Sequence, residues 1–261
     1  MKKIKYLDIL YPFIALGLVL ALWAITASSV SSELIFPKLS STLKALGDLF
    51  SNKSFYRAVG NSLSRVLLSF IISFSIALVL AVISSMLKGV RRVSSILTSI
   101  VRTIPTMSII LLALIWLTTL QAPMLVAILV IFPLQFEGIL SAILNVDPRL
   151  IEMAKVYNVP LKKRIFSLYL PESSSSIFST IKATISLNVK LIIAAEVMAQ
   201  TRQSMGLQMQ QASMYLQMDI LLAWTIVAVL LGLILEGIVL LIEKSIKLGG
   251  EYANKQAKRS I

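Results

Sequence analysis

The chain has 261 residues, of which 57% are hydrophobic and 14% charged, and its mean hydropathy of +0.87 excludes an ordinary soluble domain in favour of a polytopic membrane protein. A formal net charge of +13 would suit nucleic acid, but the cations fall in short loops between apolar runs without any nucleic-acid-binding signature, so membrane topology accounts for them. With no Cys and no His, disulfides, thiol chemistry, zinc sites and imidazole acid–base catalysis are excluded.

Lys2, Lys3 and Lys5 precede an uncharged apolar run from Ile9 to Ala27. A signal peptide begins in the same way, but the run exceeds the ~7–15 residues of a typical apolar signal region. Tyr11 and Trp23 also stand near its ends as interfacial anchors would, so it is read as an uncleaved first span. Ser28 to Ser64 is a polar interval; within it Leu43, Leu46, Leu49 and Phe50 recur at helical spacing and predict an amphipathic helix over Leu39 to Phe50. Asn61 leads into a second span, with no charge from Val66 to Leu87, and Lys88, Arg91 and Arg92 mark its end.

A third span is expected over Ile96 to Thr119, kinked at Pro105, which removes a backbone donor and must therefore face other helices. Gln121 to Pro123 turn into a fourth span, Met124 to Leu144, containing Pro133 and Glu137. After an intervening charged stretch, the fifth span covers Phe178 to Ala199 with Asn188, Lys190 and Glu196. A loop from Gln200 to Asp219 leads to the sixth, Ile220 to Ile242, with Glu236, and a basic tail follows.

That charged stretch, DPRLIEMAKVYNVPLKKRIFSLYLP from Asp147 to Pro171, is too polar for lipid although apolar spans flank it. Asp147 offers a helix-capping oxygen, Pro148 fits the first helical position, and Ile151, Ala154 and Tyr157 share a face. Asn158 tolerates the left-handed conformation that ends a helix, and Pro160 forbids continuation. A second short helix is expected over Leu161 to Tyr169, closed by Pro171, with Ser173 to Ser176 as a flexible lead-in to the fifth span. The product is an elbow lying on the membrane surface.

At these residues the chain resembles the permeases of bacterial ABC importers. Glu152, Ala154, Asn158, Leu168, Leu170 and Pro171 keep the spacing of their EAA loop, with Met153 where the second motif residue is usually Ala and Asn158 where Gly is usual. NSLSR from Asn61, RTIP from Arg102 and AAEVM from Ala194 extend the likeness over about residues 57–247, toward the branch serving nitrate, sulfonate, taurine and vitamin-precursor solutes. The resemblance implies an all-α type I importer bundle of about six transmembrane helices. It divides into an N-terminal part (1–56), a permease core (57–247) and a basic cytoplasmic tail (248–261). It also implies docking of Glu152, Met153, Ala154, Asn158, Leu168, Leu170 and Pro171 on a separate cytoplasmic ATPase. The further implied partners are an extracytoplasmic solute-binding protein, a second permease copy and membrane lipid, with no nucleic acid. No cofactor is expected on this chain, ATP being used by the partner subunit, and the location implied is the bacterial cytoplasmic membrane with both termini inside.

The residues themselves support that orientation. An even number of spans puts both termini, the Lys88 loop and the elbow on one side, which holds most of the cations; the other side holds Lys38, Lys44, Lys53, Arg57, Arg65 and Arg202. No GxxxxGK[ST] stretch occurs, nor any nucleophile-and-base constellation, so neither nucleotide binding through a P-loop nor enzymatic catalysis is expected. Glu137, Lys190, Glu196 and Glu236 stand inside spans, where an ionisable group costs roughly 2.5–3.5 kcal/mol at mid-helix, so they should line a translocation path or a subunit interface, or form structural pairs. Lys190 and Glu196 are about 120° apart around their helix and need partners elsewhere. The stretch Gly206 to Ala212 is a further candidate at the mouth of the path. The rival expectation is a secondary transporter using the same four charges as an ion or proton relay.

Overall fold

The structure, a computed structural model, describes residues 6–30, 32 and 35–257. These fold into helices α1 (Tyr6–Ser29), α2 (Leu39–Phe50), α3 (Lys53–Met86), α4 (Lys88–Thr103), α5 (Thr106–Trp116), α6 (Ala122–Leu144), α7 (Pro148–Val156), α8 (Leu161–Arg164), α9 (Leu170–Ala199), α10 (Met205–Met214) and α11 (Met218–Ala257), with a π-turn, Ile165–Tyr169, between α8 and α9. Among the described residues four helices are long and apolar enough to cross a bilayer, within Lys53–Met86, Ala122–Leu144, Ser167–Ala199 and Met218–Ile246. The bent pair α4 and α5 makes a fifth span if counted as one, and Gly17–Ser29 of α1 is a shorter apolar helix.

The centre is α6 packed between α3 and α9, with α11 against the far side of α9. Ala77, Ala81, Phe136, Ile139 and Ile143 fill the α3–α6 contact, and Val66, Ile131, Val189, Ile192 and Trp224 extend the core to α9 and α11. Lipid offers helices no hydrophobic reason to associate, so close packing and polar contacts set the arrangement. Gly138 of α6 is one such contact: a Cβ there would lie 2.5 Å from the Thr180 hydroxyl of α9. Buried polar groups tie the same three helices. Asn188 donates to the Val66 carbonyl at 2.8 Å, and Ser73 donates to the Gln135 side-chain oxygen at 2.6 Å.

Several boundaries differ from expectation for identifiable reasons. The Asn52 side chain accepts from the Ser54 N–H, so α3 begins well before the apolar run that announces it. The expected kink at Pro105 is a break of 93° between α4 and α5. Proline drives the residue before it out of the α region, and with Ile104 at ψ 126° and Pro105 at ψ 127° two extended residues turn the chain. Pro171 does not close a short helix, and Ser173 to Ser176 are not a flexible lead-in: the π-turn runs straight into α9, which carries Pro171 in its first turn. A proline within a helix leaves a carbonyl without its donor, and a π-turn just upstream, where the Leu170 N–H bonds the Ile165 carbonyl, widens the helix at the place where that fault falls. The expected loop after α9 contains α10, and α11 runs on through the expected tail to Ala257; Lys258 and Arg259 lie outside the described residues.

Candidate functional site

At one end of the bundle, where α3 and α6 finish and α9 begins, α7 and α8 form the elbow. The Asp147 carboxylate accepts from the Arg149 N–H at 2.8 Å, and Pro148 occupies the first turn. At the other end of α7, Asn158 has φ 48°, its N–H bonds the Lys155 carbonyl, and the Val159 N–H bonds the Ala154 carbonyl at 3.0 Å. That pair of bonds is the Schellman motif, in which a left-handed residue lets two terminal carbonyls find donors. Asn here meets the positive φ usually met by Gly, since its short polar side chain tolerates the left-handed region.

The two sides of α7 differ. Ala154 is buried, and Ile151 reaches a cavity of about 260 Å³ shared with Ser85, Met86, Ile143 and Tyr169 at the bundle end. Tyr157, expected on the same face, points away and is 76% exposed, as is Val156 at 78%, because the helix ends at Val156 and Tyr157 is already its cap. Glu152 is exposed, and Met153 is 52% exposed. Leu168 and Leu170 are half-buried, with Leu170 against the α3–α6 core cluster, and Pro171 is exposed. The outward surface of the elbow therefore includes Glu152, Met153 and Asn158, which the motif spacing named, together with Lys155, Val156 and Tyr157, which it did not. Val156 carries the missing signal: an apolar residue off the periodic face of a polar helix.

The charges placed inside spans have separate partners. Glu196, fully buried near the end of α9, accepts from Arg65 Nη1 at 2.8 Å, from the Ser62 hydroxyl at 2.9 and 2.8 Å through its two oxygens, and from the Gly206 N–H at 3.2 Å. Ser62 in turn accepts from the Met205 N–H at 3.0 Å. A Cβ on Gly206 would stand 2.7 Å from the Ile193 carbonyl, so α10 seats its N-terminus on α9 by lacking a side chain. Arg65 is thus no loop cation on the face opposite the elbow, as the orientation count has it; it lies buried in α3, 131 residues from its partner. Lys182, a further cation near the elbow in the sequence, sits within α9 and bonds Glu243 at 3.1 Å.

Glu137 pairs with Arg102 of α4 in a half-exposed contact, and Glu236 accepts from the Ser186 hydroxyl of α9. Lys190 is exposed, and no carboxylate among the described residues lies within salt-bridge distance of it. In the Gly206 to Ala212 stretch, Gly206 and Ala212 are buried in packing, and Met209 faces the groove between α9 and α11. Among the described residues no group of three Asp or Glu is placed to hold a metal ion.

A family model described as the binding-protein-dependent transport system inner membrane component matches residues 76–248. The chain belongs to that family. It is 22% identical over 232 residues to a putative ABC transporter permease protein of Methanocaldococcus jannaschii, covering 84% of each. Among solved structures it is similar to a chain of the inward-facing MetNI methionine ABC transporter, with a TM-score of 0.60 at 16% identity over 74% of this chain and 96% of that one. It is also similar to a chain of a bacterial ABC transporter that imports the acidic polysaccharide alginate, with a TM-score of 0.61 at 16% identity over 91% and 96%. A crystal structure of an alginate transporter with its pentasaccharide-bound periplasmic protein gives 0.60 at 15% identity, over 90% of this chain and 91% of that one. The chain is therefore a multi-pass membrane permease component of an ABC import system, and its helical bundle is of the importer-permease kind.

Proposed function

We propose that this permease is the translocation subunit of an ATP-driven importer of a small solute. It pairs with a second copy and receives the stroke of a separate cytoplasmic ATPase through the elbow Asp147–Pro171. Both termini lie in the cytoplasm, the membrane is the cytoplasmic (inner) membrane, and the chain carries no ATPase site. The observation that supports this reading is the elbow's outward surface: Met153, Val156 and Tyr157 stand free of the bundle on a capped, conformationally defined helix. Exposed apolar side chains on a short polar helix fit a partner's groove better than lipid, because Glu152, Lys155 and Lys163 surround them. At the opposite end, a groove of about 610 Å³ between α2 and the start of α11, bordered by Lys44, Asp48, Asn52 and Asp219, is suited to a soluble solute-binding protein. The motif resemblance points to a nitrate-, sulfonate-, taurine- or vitamin-precursor-like solute.

The ion-relay alternative is the weaker one, because Glu137, Glu196 and Glu236 are each engaged by a donor on another helix. Purified permease in liposomes should give no uptake alone and ATP-dependent uptake once its ATPase and binding protein are added. A Val156→Cys variant, unique as a thiol in a cysteine-free chain, should cross-link to the ATPase. Gradient-driven uptake by the chain alone would sink the proposal.

A further inference from the structure

Between α9 and α11 runs a groove of about 610 Å³. Its walls are mostly apolar, with Val189, Ile193 and Val197 on one side and Ala228 and Val229 on the other, and among the described residues two ionisable side chains border it, Lys190 and Glu236. The two are not equivalent. Glu236 is half-buried and receives the Ser186 hydroxyl, whereas Lys190 is exposed and has no carboxylate among the described residues within salt-bridge distance.

Position makes that lysine costly. It stands nine residues before the end of α9, about 14 Å of helix from Ala199 at ~1.5 Å per residue, near the middle of a hydrocarbon layer ~30 Å thick. A charge at that depth that faced lipid would carry a penalty that no salt bridge among the described residues offsets, so the groove must hold water or a counter-charge when the protein works.

We propose that this groove is a charge-selecting station for small organic anions, with Lys190 as the specificity-determining residue, so that the permease itself discriminates its solute by charge inside the membrane. The anionic group would lie against the lysine ammonium on the side away from Glu236, and the apolar body along Ile193 and Val197. In an apolar trough of low dielectric, one unpaired ammonium attracts an anion and repels a cation far more strongly than it would in water. Glu236 opposes this attraction where it borders the groove, with one of its oxygens occupied by the Ser186 hydroxyl. The proposal rests on the permease reading but not on the elbow.

The test uses the absence of cysteine from the chain. Ala194, exposed and one helical turn from Lys190 on the groove wall, becomes a single reporter thiol as Ala194→Cys in the full transporter in membrane vesicles. Its rates of modification by an anionic and a cationic methanethiosulfonate of similar size are each divided by the rate with a free small thiol. The anionic reagent should then be favoured on the order of tenfold. The preference should vanish with Lys190→Gln and persist with Lys190→Arg, and gel filtration should confirm that both variants fold. Hexanesulfonate should protect the thiol, and hexyltrimethylammonium at the same concentration should not. Equal rates, a cation preference set by Glu236, a preference that survives Lys190→Gln, or no labelling with and without ATP would each overturn the proposal. Labelling needs no transport, so failure of ATP-driven uptake with the anion preference intact would count against the elbow reading alone.

Discussion

Where α9 finishes, Glu196 is enclosed by Arg65, Ser62 and the α10 N-terminus, and its two oxygens share three donors. Where α9 begins, α7 is satisfied at both ends by its own cap and Schellman turn, meets the bundle end through Ile151, and leaves Val156 and Tyr157 in the open. The same helix thus has one end knotted to two neighbours through a buried charge and the other joined to a self-contained elbow. The first kind of contact holds helices together; the second leaves a surface whose shape does not depend on its neighbours, which is what the proposed ATPase docking would require.

The contrast is broken most severely at the knot. Replacing Arg65 by Leu leaves the Glu196 carboxylate buried with its charge uncompensated, and loss of one partner from a buried pair costs roughly 3–5 kcal/mol. Thermal unfolding in detergent should show this as a sharply lowered midpoint. The double variant Arg65→Leu, Glu196→Leu should recover part of the loss, since it removes the orphaned charge while leaving Ser62 and the α10 amides to be satisfied by other means. Equal destabilisation in single and double variants would mean that the ion pair is incidental and that the amide and hydroxyl contacts hold α10. Gly206→Ala comes next: the added Cβ meets the Ile193 carbonyl and the Val197 N–H at 2.7 Å, both backbone atoms, so α10 must shift, at about 1–3 kcal/mol. A melting point equal to that of the parent would show that α10 is less tightly seated than its contacts imply.

The two ends also differed in how far they could be read from sequence. The elbow is local: Asp147, Pro148, Asn158 and Pro160 lie within 14 residues, and each acts through backbone rules that need no distant partner, so the cap and the left-handed turn were legible. The knot joins Ser62 and Arg65 to Glu196 and Gly206, and sequence spacing carries no signal for a pairing across 131 residues. Charge position alone consequently puts Arg65 with the loop cations, and nothing local sets Gly206 apart from the rest of its stretch. The place of the break at Pro105 is legible and its size is not, because the rule for the residue before proline states a preference for Ile104 without saying that Pro105 is extended too. Pro171 misled in the opposite direction: a proline read as a stop is absorbed when a π-turn precedes it.

The smallest change in folding free energy should come from the elbow's outer surface, and it bears most directly on function. Ala154 is buried, so a charge there would confound packing with docking; Val156 and Tyr157 avoid this because their side chains contact mainly solvent. Exposed substitutions away from caps and core stay within about 0.5 kcal/mol, so Val156→Asp with Tyr157→Asp should leave the melting point and membrane insertion unchanged. If the elbow is a handle, the same pair should abolish ATP-driven uptake and co-purification with the ATPase, because two new carboxylates would have to be desolvated in the partner's groove without a counter-charge. Normal uptake with normal stability would leave the elbow as a loop that happens to be well formed. Lost uptake with a lowered melting point would place it within the bundle's own packing, contrary to the exposure that distinguishes it from the knot.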